Sequence, residues 1–153
     1  MKNLAYDQLV RLTEDILIKG FGYTTAEAAV TAEVLVEADA RGIPSHGVSR
    51  LAFYRKNLDG GFAKPGAEPE IVWRTPCSMV VDGHDGVVCY VSDWSIHKMV
   101  DMAKNIGSAF CSVRNPHHYG IAARWAQSIT RYNMISLAFT NTYPAGVPTN
   151  GRQ

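Results

Sequence analysis

The spacing of apolar residues changes period near residue 69, and this switch limits the chain to a helical segment followed by one that mixes strands with helices. Between Leu4 and Lys19 the residues Leu9, Leu12, Ile16 and Ile18 recur at near-helical intervals, and Gly20 and Gly22 close the run. Thr25 suits the N-cap of a second helix reaching Ala40, with Ala29, Val30, Ala32, Val34, Leu35 and Ala38 as its apolar side. A third helix is expected from Ser45, carrying Val48, Leu51, Phe53, Tyr54 and Leu58 up to Gly60-Gly61. The cluster Gly60, Gly61, Pro65, Gly66 and Pro69 breaks any regular element and marks the end of a helical module over residues 1–68.

Beyond Pro69 the runs shorten and become β-prone. Ile71 to Arg74 and Ser78 to Asp82 flank Thr75-Pro76, and Gly83-His84-Asp85-Gly86 reads as a turn. Trp94, Ile96, Met99, Val100, Met102 and Ala103 form a helical stripe from Ser92 to Ile106, with Gly107 as its C-terminal stop. A strand over Ala109 to Val113, a helix from about Tyr119 to Arg131 and a strand over Met134 to Thr140 complete the pattern. Strand, helix, strand, helix, strand implies parallel pairing through right-handed crossovers, so residues 69–153 read as the first part of an α/β sheet domain.

Composition narrows the function classes. The 153 residues are 46% hydrophobic, enough for one compact core, and the formal charge of +1 provides no surface for a polyanion. Lys and Arg are scattered and no basic stripe interleaved with aromatics occurs, which excludes nucleic acid as the expected partner, and Trp73, Trp94 and Trp125 read as packing residues. The uncharged apolar runs are too short to span a bilayer, and the first residues hold no signal-peptide core, so a cytoplasmic protein is expected. Cys77, Cys89 and Cys111 are an odd number in apolar settings and read as buried free thiols of a reducing compartment.

Two segments carry the chemistry. Ser45-His46-Gly47-Val48-Ser49-Arg50 places a hydroxyl, an imidazole and a guanidinium within six residues. An imidazole exchanges a proton with an alkoxide near neutral pH, and a guanidinium matches a carboxylate in two hydrogen bonds. With Ser45 as an N-cap, His46 and Arg50 stand four residues apart on one helix face. The same residues also suit a capped surface helix with solvated heads. In Asn115-Pro116-His117-His118-Tyr119-Gly120 a strand-like run gives way through a Pro-marked turn to an amphipathic stretch, which puts His118 at the carboxyl end of a strand, where α/β sheets bind ligands.

Other chemistries fit less well. A hydrolase using Ser45 and His46 with Asp85 would need a nucleophile adjacent in sequence to its base, and no Gly-x-Ser-x-Gly elbow is present. His84, His97, His117 and His118 do not have the spacing of a zinc site, so no metal is expected.

Taken with Met134-Ile135-Ser136-Leu137-Ala138-Phe139-Thr140-Asn141-Thr142-Tyr143-Pro144 and Val147-Pro148, these segments resemble the malate/L-lactate dehydrogenase family, which is unrelated to the Rossmann lactate dehydrogenases. The likeness runs from Ala38-Asp39-Ala40-Arg41-Gly42 through Gly151. It implies the amino-terminal half of a sulfolactate-dehydrogenase-like fold, a helical module followed by an α/β sheet domain that is truncated here. It also implies a homodimer in full-length form, NAD or NADP as cofactor, and hydride transfer between the nicotinamide and C2 of a 2-hydroxy or 2-oxo acid. By resemblance His46 is the proton donor to the substrate carbonyl with Ser45 as its helper, and His118 is a second candidate for the same acid/base role. Arg50 lies near the substrate carboxylate, and Thr142, with Thr140 and Asn141, near the nicotinamide. The chain departs from the family at Gly86-Val87-Val88-Cys89 and at Asn150 before Gly151, and no Gly-x-Gly-x-x-Gly fingerprint occurs. A catalytically inactive truncated fragment is the alternative reading.

Overall fold

The computed structural model describes residues 4–141, so Thr142, Asn150 and Gly151 lie outside the described residues. Helix α1 spans Tyr6–Phe21 and ends where Gly22 takes a left-handed conformation (φ 72°), its N–H donating to the carbonyl of Ile18. Its inner face is Thr13, Leu17 and Phe21, whereas Leu12, Ile16 and Ile18 of the expected stripe are exposed. Leu12 with Ile16, like Thr13 with Leu17 and Phe21, recur at four-residue spacing, and only the position of the next helix decides which set is covered.

Helix α2, Thr25–Ala40, is capped by Thr24, one residue before the expected cap. The Thr24 hydroxyl accepts from the Glu27 N–H (3.2 Å), and the Glu27 carboxylate accepts from the Thr24 N–H (2.8 Å). The other oxygen of Glu27 accepts from the Gly66 N–H (2.8 Å), so this buried carboxylate also ties down the Gly- and Pro-rich loop around residue 66. Ala28, Thr31, Ala32, Val34, Leu35, Val36 and Ala38 are buried around nearly the whole helix, because α2 packs on α1 and on α4. Leu35 and Ala32 join Leu17, Phe21, Tyr54 and Val87 in one core, while Val34 joins Cys89, Ile96, Val100, Trp125 and Ile129 in another.

Helix α3 spans Leu51–Asp59, and β1 (Glu70–Arg74) and β2 (Ser78–Asp82) form an antiparallel pair with an irregularity between Ile71 and Trp73. Helix α4 (Val88–Ile106), stopped by Gly107 at φ 92°, returns the chain to β3 (Phe110–Arg114), which pairs parallel with β2 in the register Val81 with Val113. The sheet order is β1-β2-β3, and Met79, Val81, Val91 and Met102 make a third core between sheet and α4. The fold is α/β with helices preceding the sheet, as expected, but the pairing is mixed and not wholly parallel, because the short connection between β1 and β2 has no room for a crossover.

Asp82 locks the carboxyl ends of β2 and β3 together. Its carboxylate accepts from the His84 N–H (2.9 Å), the Asn115 amide (2.9 Å) and the Arg114 guanidinium (2.8 Å), and these donors hold it down at about 2. The turn they brace brings Gly86 against Gly83 and Ala67, where a β-carbon would sit 2.9 and 3.0 Å from their carbonyl oxygens, and Val87, Val88 and Cys89 pack behind it in the core. Helix α5 spans Ala122–Thr130, starting three residues later than expected. Trp125 is buried in the core and donates to the Tyr119 carbonyl (2.7 Å), Trp94 is half-buried, and Trp73 lies exposed on β1. Cys77, Cys89 and Cys111 are all free thiols.

The strand expected over 134–140 does not form among the described residues. Ile135, Leu137 and Phe139 are exposed while Met134, Ser136 and Ala138 are half-buried, so the alternation of a strand is present without a ladder partner. A lone segment cannot satisfy its backbone by pairing, whatever its side-chain pattern. None of the described helices is long and apolar enough to cross a membrane.

Candidate active site

The site is assembled where the end of α2, the segment 44–54 and the loop 115–120 meet. The expected helix from Ser45 is replaced by two short 3-10 turns, Pro44–His46 and Val48–Arg50, hinged at Gly47, and the α-helix begins only at Leu51. The cause is Asp39, the penultimate residue of α2, whose carboxylate accepts from the Val48 N–H (2.8 Å) and lies against Gly47. A β-carbon on residue 47 would come within 1.9 Å of Asp39 Oδ1, so only glycine fits this approach. Ser45 therefore caps no helix. Its hydroxyl lies 3.0 Å from His46 Nδ1, and its carbonyl accepts from Arg50 Nε (2.6 Å).

Arg50 is aimed by two contacts, the Ser45 carbonyl and the face of Phe53, whose ring centroid lies 5.5 Å from the guanidinium carbon. The His46 and His118 rings face each other with centroids 5.1 Å apart, and Phe53 meets His118 edge-on at 6.0 Å. The Tyr54 hydroxyl, fixed by burial of the ring in the core, lies 3.3 Å from His118 Nδ1 and 3.4 Å from the His118 carbonyl. The four residues Ser45, His46, Arg50 and His118, separated by up to 73 positions in the chain, thus form one cluster. Thr140 and Asn141 lie exposed and make no hydrogen bond to it, and Thr142 is outside the described residues.

Burial pushes His118 down to about 4, assisted by the charge of Arg50 and then by His46. His118 is therefore neutral at neutral pH. A histidine with a depressed native value binds fewer protons folded than unfolded between its native and its ordinary range, so stability should fall as pH drops from about 6.5 to about 4. For a half-buried ring the loss is about 1 to 2 kcal/mol after solvent screening. Urea melts of wild type and His118→Gln across that interval check it, and equal slopes against pH would contradict the assignment.

Sequence reading overlooked three parts of this site. Tyr54 and Phe53 were legible only as apolar members of a helix, and Asp39 only as part of a motif, because their roles depend on neighbours far away in the chain. In the Ser45, His46 and Asp85 alternative the acid does not meet its histidine among the described residues: Asp85 pairs with Lys64 Nζ (3.0 Å), and the hydrogen-bond partner of His46 is Ser45. His84 pairs with Glu70 and His97 with Asp93, and no three His, Cys, Asp or Glu side chains converge among the described residues.

The model of the malate/L-lactate dehydrogenase family matches residues 4–153. The chain belongs to that family. It is 34% identical over 143 residues to L-sulfolactate dehydrogenase of Methanocaldococcus jannaschii, covering 94% of this chain and 41% of that protein. The solved structure of the sulfolactate dehydrogenase from that organism superposes with a TM-score of 0.81 at 32% identity, over 86% of this chain and 38% of that one. Ureidoglycolate dehydrogenase (NAD(+)) of Escherichia coli is 27% identical over 98% of this chain and 43% of its own length. (2R)-3-sulfolactate dehydrogenase (NADP(+)) of Chromohalobacter salexigens is 26% identical over 89% and 40%. This malate/L-lactate dehydrogenase family chain thus spans about two fifths of the length of these curated relatives, and relatives named for each of the two nicotinamide cofactors are among them.

Proposed function

We propose that this chain provides the acid/base and carboxylate-binding groups of an NAD(P)-dependent oxidoreductase that interconverts 2-hydroxy and 2-oxo acids. The observation that carries the proposal is the facing pair His46 and His118 with Arg50 beside it. Arg50 is held by an uncharged carbonyl and an aromatic face rather than by a carboxylate, which keeps its charge available to the substrate's acid group. His46, with Ser45 at its Nδ1, delivers a proton to the substrate carbonyl oxygen in reduction and removes it from the hydroxyl in oxidation. His118 stays neutral and faces the same space as a second acceptor.

The donor set fits nicotinamide chemistry, which needs a proton shuttle and a carboxylate anchor but no further redox group. The cofactor, when bound, supplies or accepts the hydride. Thr140 and Asn141 would hold its nicotinamide end together with Thr142; the first two are exposed and polar. We further infer that residues 1–68 and 69–153 act as helical module and first part of the cofactor and substrate domain, and that the full-length protein is a cytoplasmic homodimer.

The test is oxidation of NADH and NADPH against a panel of 2-oxo acids, by this chain and by the chain extended to the length of its relatives. Turnover by the extended form is expected. Arg50→Gln should raise KM by about a hundredfold, the value of a charge-assisted pair of hydrogen bonds, while 2-oxo amides lacking the carboxylate should respond little to the substitution. An unchanged KM for the acids would remove Arg50 from the site.

A further inference from the structure

Behind the facing histidines lies a small, partly open cavity lined by Thr31, Tyr54, Cys89, His117 and His118, among others, with about 20 Å³ of room for the centre of a water molecule. That exceeds the roughly 10 to 15 Å³ one water requires. Two buried polar atoms of its lining, Thr31 Oγ1 and His117 Nε2, have no hydrogen-bond partner among the described residues. Thr31 is fully buried on α2, so its hydroxyl does not touch bulk solvent directly. An unsatisfied buried polar group costs about 1 to 3 kcal/mol, and two of them on one cavity make it a polar site rather than an apolar void. The remaining walls suit the same occupant: burial pushes the Cys89 thiol up to about 12, so the sulfur beside the Thr31 hydroxyl stays neutral and is at most a weak partner that leaves this hydroxyl free for a stronger one.

We propose that this cavity binds one internal water that bridges Thr31 Oγ1 and His117 Nε2 and thereby anchors the turn carrying His118, making Thr31 and His117 positioning residues for the histidine pair. The water itself is a ligand of the fold. Its effect on catalysis rests on the proposed acid/base reading of His46 and His118. His117 and His118 are consecutive, so a bond that fixes the first imidazole from the α2 side restrains the backbone from which the second projects. Tyr54 restrains the same turn from the α3 side, through the His118 carbonyl and Nδ1. The imidazole opposite His46 is then held between two helices, one through the phenol and one through the water.

The test uses crystals of the full-length protein at a resolution that defines waters, for the wild type, Thr31→Val and Thr31→Ser. The expected result is an ordered water within hydrogen-bond distance of both Thr31 Oγ1 and His117 Nε2, lost in Thr31→Val and kept in Thr31→Ser. Without it the His118 ring should move by roughly 0.5 Å or more from His46. In steady-state kinetics Thr31→Val should lower kcat about threefold, within the loss expected on removing the His118 imidazole, with KM little changed, and Thr31→Ser should restore it, because misplacement of a reacting group acts on the rate rather than on binding. A dry or collapsed cavity in the wild type, or a His118 ring that keeps its place in Thr31→Val, overturns the inference. Should the wild type turn over no 2-oxo acid, the reaction reading falls, and the crystallographic arms still decide the water and its hold on His118.

Discussion

Replacing His46 by Gln should lower the turnover of 2-oxo acid reduction by about a hundred- to ten-thousand-fold, the range for removal of a general acid. The substitution keeps a polar side chain of similar reach beside Ser45 but cannot deliver a proton. His118→Gln should cost much less, about tenfold, because burial and the Arg50 charge keep that imidazole neutral near neutral pH, without the imidazolium proton that a general acid delivers. The two variants should also separate by pH. Reduction consumes a proton from the donor, so its rate falls as pH rises, and oxidation shows the opposite trend. A reduction rate that rose with pH, with hydride transfer shown to be limiting, would sink the assignment of His46. So would equal losses in the two variants, which would return His118 to the donor role.

The second large effect is expected at a residue with no side chain. Gly47→Ala places a β-carbon 1.9 Å from Asp39 Oδ1, far inside contact distance, so either the Asp39 carboxylate leaves the Val48 N–H or the hinge opens. The backbone angles at Gly47 (φ −88°) are open to any residue, so the effect is one of space and not of conformational freedom. Overpacking of this kind costs about 1 to 3 kcal/mol. The functional loss should be larger than the stability loss suggests, roughly a hundredfold in kcat/KM, because His46 and Arg50 sit on opposite sides of the hinge and move relative to each other. Asp39→Ala in the Gly47→Ala background is the discriminating control. Relief of the clash should recover stability but not activity, since the Val48 N–H has lost its acceptor; recovery of both would show that Asp39 merely fills space.

The legibility of this site in the sequence was uneven. The Ser45 to Arg50 hexapeptide and the loop around His118 stood out because proton transfer and carboxylate binding demand particular side chains, and those side chains are visible in one dimension. Their arrangement was not. Four-residue spacing suggested that His46 and Arg50 share a helical face, yet Asp39 accepts the Val48 N–H and turns the segment into two 3-10 turns. Tyr54, the residue that meets His118 at 3.3 Å, looked like any other aromatic of an amphipathic helix.

Local chemistry was enough for elements whose ends are marked by backbone requirements: α4 stops at Gly107, the turn at 83–86 lies where glycines flank it, and β2 and β3 pair in parallel around α4. It was enough for the family as well, since the motifs that carry the resemblance are contiguous in sequence. Tertiary structure alone decided which four-residue stripe of α1 is buried, why α2 is apolar on almost every side, and that residues 134–140 have no ladder partner among the described residues. It alone brought His46 and His118 to 5.1 Å. Each of these depends on which surface another element covers, and burial of apolar area is non-directional: a stripe of leucines and isoleucines states that something must be covered, but only the packed neighbour determines what covers it.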